Sequence, residues 1–382
     1  AVILIETSQS MFGYVKSITE YVNVISELAQ KPSFVTDKTP REFFFVNGAG
    51  PIKTKLIGSD PVVLKDRLNA EGFNFEDGDI TKSDLNSMFE LALETAREDT
   101  ISILISDAIY DIGKKPEEKA HKELALKGDD TRSKFIVRLD EGNGDVQMIM
   151  IKLHSDFDGC YFPVSGGKRK ITQTRPFYVF IFGKTELLNS NFTENYIKRE
   201  LNGYAEMARF LNFNELNIPF QGVKHNKKGE FKFDRKEKNK LIEAKPHRNA
   251  EGFQFSFATD FSSLPYSDSY LGSTANYKCS IDDYDIIAIE KVTKKIHEIN
   301  SFNPSHLITV YAKKNPYGIL NVSLKYNTPK WITATNSPSK SEIMSDTTHT
   351  FGFKYLTQGI IQAYKESNQE KDIANFTFEI TK

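Results

Sequence analysis

Cysteine is nearly missing from this chain. Cys160 and Cys279 are the two in 382 residues, too few and too far apart for a disulfide framework or a zinc ligand cluster. Long apolar runs are missing as well. Stretches such as residues 101–105 and 179–182 fall well short of the roughly 20 residues that cross a bilayer, so no transmembrane segment is expected. Nor does charge of one sign prevail: 50 Lys and Arg stand against 51 Asp and Glu, a formal charge of -1. Such a balance gives no field that steers nucleic acid or acidic lipid, and neither partner is expected. There is no nucleophile elbow, and the isolated His121, His225, His247, His297, His306 and His349 lack zinc-site spacing. The loop Ser165-Gly166-Gly167-Lys168-Arg169-Lys170 lacks the full phosphate-binding motif and reads as a solvated turn. What is present is ordinary for a folded chain, with 39% hydrophobic and 26% charged residues. The length exceeds what one hydrophobic core supports, so two domains are expected. The chain opens on Ala1 inside an apolar run with no initiator Met, which suggests removal of an upstream segment and a secreted or periplasmic setting.

The first half alternates short apolar runs with helical spacing, the pattern of strands joined by crossover helices. Residues 1–5 form a continuous apolar run. Val15, Ile18, Val22, Ile25 and Leu28 then recur at helical spacing and predict a helix over 15–28. Strands are predicted at 43–46 and 101–105, and helices at 62–68 and 85–96. A charged stretch after residue 111 reads as loop. Residues 135–139 and 146–153, flanking Asn143-Gly144, read as a hairpin, and 177–182 as a further strand, so that part of the sheet is expected to be antiparallel. Helices over 187–192 and 196–211 close this half. The period then changes to two: Phe253, Phe255 and Phe257 alternate with polar residues, as do Leu320, Val322 and Leu324, and Phe376, Phe378 and Ile380. Strands at 286–289, 307–311 and 331–332 fit the same scheme. The Lys-rich stretch 225–240 reads as a solvated hairpin tip, and Phe353, Leu356, Ile360, Ile361 and Tyr364 predict one helix. The expected architecture is a doubly wound, mainly parallel α/β domain over 1–212. A mostly antiparallel β-sandwich with one helix completes the chain over 213–382, its core including Phe255, Leu320, Val322, Trp331, Phe376 and Phe378.

In an open α/β sheet, ligands settle beyond the carboxyl ends of the strands where strand order reverses. Two loops qualify: Glu6-Thr7-Ser8-Gln9-Ser10 after the first strand and Ser106-Asp107-Ala108 after the central one. Together they resemble the metal-ion-dependent adhesion site of von Willebrand factor A domains, in a degenerate form. That family uses an Asp-x-Ser-x-Ser loop, a Thr from a second loop and an Asp ending the fourth strand. Ser8 and Ser10 match the hydroxyls, Asp107 matches the last carboxylate, and Met11, Phe12 and Gly13 fit the family's sequence directly after the loop. Glu6 stands where the pattern has Asp, one methylene longer than a tight Mg²⁺ geometry prefers. Residues 78–85 offer Thr81, Ser83 and Asp84 for the second-loop position; Thr81 is taken, and Ser83 and Asp84 could equally cap the following helix.

The resemblance implies a non-enzymatic binding or adhesion scaffold. A cation, Mg²⁺ or else Mn²⁺ or Ca²⁺, held by Glu6, Ser8, Ser10, Thr81 and Asp107, would take an acidic residue of another protein at its open position. The alternative is a metal-dependent hydrolase. His154, Asp156 and Asp158 come after a predicted strand, and beside Asp107 and Asp111 they would suit a cation that activates water.

Overall fold

The structure is a computed structural model. It describes every residue except 32, 34–40, 98, 142–145, 163–166, 213–216, 247–251, 265, 314–316, 338–348 and 370. The Asn143-Gly144 turn, His247 and Ser165-Gly166 therefore lie outside the described residues. The chain divides into two compact units, Ala1–Asn212 with Thr328–Gln369, and Phe213–Asn327 with Glu370–Lys382.

The first unit runs β1 (Val2–Glu6), a 3-10 turn (Gln9–Tyr14), α1 (Glu20–Gln30), β2 (Glu42–Asn47), β3 (Lys53–Gly58), α2 (Pro61–Arg67), α3 (Leu85–Thr95) and β4 (Ser102–Ser106). It continues with α4 (Glu117–Glu141), β5 (Gln147–Tyr161), β6 (Arg169–Gly183), α5 (Thr185–Asn191), α6 (Glu194–Glu200) and β7 (Tyr204–Phe210). The second unit contributes β8 (Phe220–Lys228), β9 (Glu230–Phe233), β10 (Lys240–Lys245), β11 (Phe253–Thr259), α7 (Asp268–Leu271), β12 (Tyr277–Cys279), β13 (Tyr284–Lys291), β14 (His306–Ala312) and β15 (Gly318–Leu324). The chain then returns to the first unit with α8 (Lys330–Ala334), β16 (Asn336–Ser337), β17 (Thr350–Phe351) and α9 (Phe353–Ser367), and ends in the second with β18 (Ala374–Ile380).

The first unit is built on a seven-stranded sheet in the order β3-β2-β1-β4-β6-β5-β7. As expected, β1 lies beside β4, with Ile3 opposite Ile103 and Ile5 opposite Ile105. The sheet is mixed: β2, β1 and β4 run parallel, while β3, β6, β5 and β7 join by antiparallel ladders. One face carries Ile3, Ile5, Ile103, Ile105, Val179 and Ile181, packed with Val22, Ile25 and Leu28 of α1. On the other, Phe89 of α3 meets Phe180 at a centroid distance of 4.8 Å, and Phe353 of α9 stacks on Tyr178 at 4.6 Å. Burial on both faces explains why β1 and β4 read as unbroken apolar runs.

Several local expectations change. The first helix begins at Glu20 rather than at residue 15, because Thr19 caps it, its Oγ1 accepting from Val22 N at 3.4 Å and donating to Tyr14 O at 2.5 Å. Residues 135–139 are not a strand but the end of α4, a 25-residue helix. Its inward stripe is Ala120, Leu124, Gly128, Thr131, Phe135 and Leu139. Residues 196–211 split into the end of α6 and strand β7. Gly203 makes the reversal at φ 77, where a Cβ would sit 2.0 Å from His154 O. Trp331 lies in helix α8 of the first unit, its Nε1 donating to Met207 O at 3.1 Å, so it is no strand residue of the second core. The chain leaves the first unit at 212 as expected, but residues 328–369 return to it, so the chain passes between the units three times rather than once. Glycines make that return tight: a Cβ on Gly359 of α9 would lie 2.4 Å from Gly128 O of α4.

The second unit holds a five-stranded sheet, β12-β15-β18-β10-β9, and a four-stranded one, β13-β14-β11-β8. Phe255 and Phe257 of β11 meet Phe378 of β18 at 5.0 Å each, so the sheets pack face to face. Leu320 and Val322 are fully buried with them. All pairings are antiparallel except β10 with β18. Gln254 and Ser256 are buried rather than solvated. Ala258, on their side of β11, packs with Val223, Ile299 and Leu307, and Ser256 Oγ pairs with Thr309 Oγ1 at 2.9 Å.

Candidate functional site

Strand order 3-2-1-4 reverses between β1 and β4, so the crevice beyond their carboxyl ends is the place where a doubly wound sheet presents a ligand. Glu6 is the last residue of β1 and Ser106 the last of β4. Because Ile5 pairs with Ile105 in a parallel ladder, Glu6 and Ser106 stand side by side on one sheet face. Ser106 Oγ donates to Glu6 Oε2 and accepts from Ala108 N at 2.8 Å.

A third segment closes over this pair. Gly48, just past β2, accepts from Asp84 N at 3.1 Å and donates to Lys82 O at 3.0 Å, while Asn47 Oδ1 accepts from Asp79 N at 2.9 Å. Gln9 N donates to Ile80 O at 2.8 Å and ties the same segment to the loop after β1. These bonds set Ser83, not Thr81, at the site: Ser83 Oγ donates to Glu6 Oε1 at 2.7 Å. Thr81 turns outward and donates to Asp79 Oδ1 at 2.5 Å. Thr81 lines the cleft beside Ser8 and Ser10, but its hydroxyl is engaged by Asp79 rather than by Glu6. An outward-facing hydroxyl with its own carboxylate acceptor has no route to Glu6.

Ser8 completes the set, donating to Glu6 Oε1 at 2.8 Å. Glu6 is 1% exposed and receives hydroxyl protons from three separate loops. Burial pushes its carboxyl above the usual range, and the three hydrogen bonds oppose that push. The extra methylene that sets Glu6 apart from the family pattern is therefore no defect here: it carries the carboxylate out to all three serines.

Asp107 comes directly after β4 and is 3% exposed. Burial, and then the charge of Glu6, raise its carboxyl to about 7, against hydrogen bonds from Ser10 and Ile109 N. Ser8 Oγ and Ser10 Oγ lie 2.9 Å apart. With the Ser8 proton on Glu6, Ser10 must supply the proton of that contact or leave two lone pairs facing each other. Protonation of either carboxyl satisfies this count, since a protonated Glu6 can donate to Ser8, which donates to Ser10 and so to Asp107, and the chain of donors can also run the other way. With both carboxylates ionised, a cation lying against the two hydroxyl oxygens satisfies it as well. Cis oxygen ligands of an octahedral Mg²⁺ at 2.0–2.1 Å are about 2.9 Å apart, the same separation that a hydrogen bond between the two hydroxyls gives. Among the described residues no three His, Cys, Asp or Glu side chains group as metal ligands. A site here would rest on two carboxylates, hydroxyls and water.

A cleft of about 250 Å³ opens beside Ser8, Ser10 and Ser83, walled by Ile80, Ile109, Ile112, Tyr161 and Phe351. The Met11-Phe12-Gly13 stretch winds the 3-10 turn against β5, where a Cβ on Gly13 would lie 2.4 Å from the Phe157 ring. Tyr14 then donates from its hydroxyl to Pro176 O at 2.6 Å, fixing the turn to β6.

The alternative cluster does not assemble. His154, Asp156 and Asp158 alternate along β5. Asp158 pairs with Lys16 at 2.9 Å and accepts from Thr172 at 3.0 Å. Exposed Asp156 donates through its backbone N to Glu20 Oε2 at 3.0 Å. Burial holds the His154 imidazole below its usual range, hence neutral near pH 7. Asp111 lines the cleft, but its carboxylate accepts from Gly113 N at 3.1 Å in a turn of its own. Sequence reasoning weighed Ser83 but preferred Thr81, and it passed over Ser106. Ser106 carried a signal, a hydroxyl closing an apolar strand just before Asp107.

No protein-family model, no curated protein and no solved structure matches this chain. Among the described residues no helix is long and apolar enough to cross a membrane.

Proposed function

We propose that the first unit is a von Willebrand factor A-like binding module. Ser8, Ser10 and Asp107, backed by Glu6 and Ser83, would hold a hard divalent cation, Mg²⁺ foremost, and an acidic side chain of another protein would complete its coordination. The second unit would supply a further surface or position the first. The observation that carries this reading is the pair of serine oxygens 2.9 Å apart, each within reach of a buried carboxylate, at the strand-order reversal and beside a cleft. A bound cation supplies positive charge at an open coordination position. The chain's residues do the rest: Ser83, Ser106 and Ser8 fix Glu6, and the backbone of Ile109 fixes Asp107. The hydrolase alternative draws no support, since its residues are engaged in separate contacts.

The test is calorimetric titration with Mg²⁺, Mn²⁺ and Ca²⁺, with thermal melting in parallel, because a ligand of the folded state raises apparent stability. Saturable heat and a raised Tm are expected for the wild type, and neither for Asp107→Asn. A wild type indifferent to all three cations would refute the proposal.

A further inference from the structure

We propose that the cleft beside the serine pair takes a large apolar side chain, phenylalanine foremost, from the residue next to the partner's acidic one, so that the partner is recognised by two adjacent side chains rather than by a carboxylate alone. The inference rests on the cation-dependent reading above and names the kind of sequence that such a site would capture.

The apolar lining of the cleft grades from buried to exposed. Tyr110, Ile112, Tyr161 and Phe351 are each at most 6% exposed, Ile80 and Ile109 are half-buried, and Phe162 is exposed at the rim. All of them belong to the first unit. Tyr110 pairs its hydroxyl with Thr131 Oγ1 at 2.9 Å, which leaves its ring as apolar lining. The volume of about 250 Å³ exceeds the roughly 150 Å³ in which an apolar cavity already holds a benzene ring. A concave apolar floor with a few polar groups at one side is the usual form of a site that takes an apolar group and fixes its orientation.

The cleft is continuous with the place where the acidic residue would sit, since Ser8, Ser10 and Ser83 form part of its lining. Ala108 joins Asp107 to the isoleucine wall. Its φ of 55 puts an alanine in the left-handed region, and its N is held by Ser106 Oγ at 2.8 Å. That turn carries the chain from the acidic end of β4 directly to Ile109 and Ile112. Charges of both signs also line the cleft. Lys82 and Asp79 answer each other at 3.8 Å, and Asp111 accepts from Gly113 N at 3.1 Å, while Lys114 makes no ion pair among the described residues. An apolar floor with Lys114 at its edge fits a segment that carries both an apolar and an acidic residue, and the selection falls to the floor rather than to net charge.

The experiment titrates acetyl-Phe-Glu-amide, acetyl-Glu-Phe-amide and their alanine counterparts calorimetrically into the Mg²⁺-loaded full chain, wild type and Ile80→Ser. Full burial of a phenylalanine side chain is worth roughly ten- to a hundredfold in affinity and ordering it takes part of that back, so the better phenylalanine peptide should bind about tenfold more tightly than its alanine counterpart. In Ile80→Ser that ratio should fall to about threefold or less. Because the ratio is taken within one protein, any change in cation affinity cancels. Circular dichroism checks the fold, and Phe162→Ser substitutes if the first variant does not fold. Saturation-transfer NMR with acetyl-Phe-amide in EDTA reads the cleft without a cation. Mg²⁺ heat in the wild type without preference for either phenylalanine peptide, or with a preference that Ile80→Ser leaves intact, overturns this inference alone. Without Mg²⁺ heat, transfer that Ile80→Ser abolishes overturns the function as proposed and supports the apolar anchor. Transfer absent or unchanged, again without heat, overturns both.

Discussion

Replacing Asp107 with Asn tests the charge arrangement of the site without any ligand. The wild-type carboxyl is raised from 3.8 to about 7. Each unit of such displacement is worth about 1.4 kcal/mol, so the ceiling is about 4 kcal/mol. The sign comes from proton linkage: between about pH 4 and pH 7 the folded state holds a proton at Asp107 that the unfolded state has released, so stability falls as pH rises through that window. Above pH 7 both states have lost the proton and this contribution is flat. Asn imitates the protonated acid, with an NH₂ able to donate to Ser10 as the carboxylic acid would. The variant should therefore match the wild type at about pH 4, exceed it by about 1.5 kcal/mol at pH 5 and by about 2–4 kcal/mol at pH 8. Urea unfolding at a series of pH values gives the difference, and the subtraction cancels groups common to both proteins. Saturating Mg²⁺ at pH 8 should stabilise the wild type and narrow the gap. A variant less stable than the wild type at pH 8, or a difference that does not change with pH, would refute the reasoning, because it would mean that Asp107 is not an unwelcome charge in the fold.

Ser83→Ala removes one of three hydroxyls from a buried carboxylate and should cost about 1.5–3 kcal/mol by urea unfolding, the usual worth of a hydrogen bond to a charged group. Thr81→Ala, at an outward-facing position, should stay within about 0.5 kcal/mol and leave any Mg²⁺ heat unchanged. Gly359→Ala must part α9 from α4 and should cost about 1–3 kcal/mol in the same assay, with native-like circular dichroism. Glu6→Asp would draw the carboxylate back from Ser8, Ser83 and Ser106; a lower Tm is expected, where the sequence pattern alone would have forecast a repaired site.

Strands β1 and β4 were legible because both of their faces are buried, which leaves an unbroken run of Ile, Leu and Val that nothing else in a chain of this composition imitates. Helix α4 was not. Its inward stripe includes Ala120, Thr131 and Gly128, the last admitting α9 closely, and small residues carry almost no hydrophobic signal. The return of residues 328–369 to the first unit was hidden for a related reason. A periodic pattern states that an element has an apolar face, but not which sheet that face meets, and α9 is equally amphipathic in either unit. At the site, the hydroxyls of Ser8 and Ser10 and the carboxylate of Asp107 could be read from loop position. The choice between Thr81 and Ser83 could not, since it turns on the backbone bonds of Gly48 to Lys82 and Asp84, which span more than thirty positions in sequence.

Glu6 shows why a departure from a family pattern is not by itself a loss. Three serines on three loops converge on one carboxylate, and their spacing is set by the strands and by the Gly48 bridge rather than by the carboxylate. A side chain reaching them all must extend past the end of β1, which Glu does and Asp would not. Once there, Glu6 is buried, and its charge is one of the two largest causes of the raised Asp107 carboxyl. The longer residue thus holds the loops together and makes the neighbouring acid reluctant to ionise. A cation that relieves this repulsion would bind a prepared geometry, without moving Glu6, at the single point where β1, β4 and the segment from Asp79 to Asp84 meet.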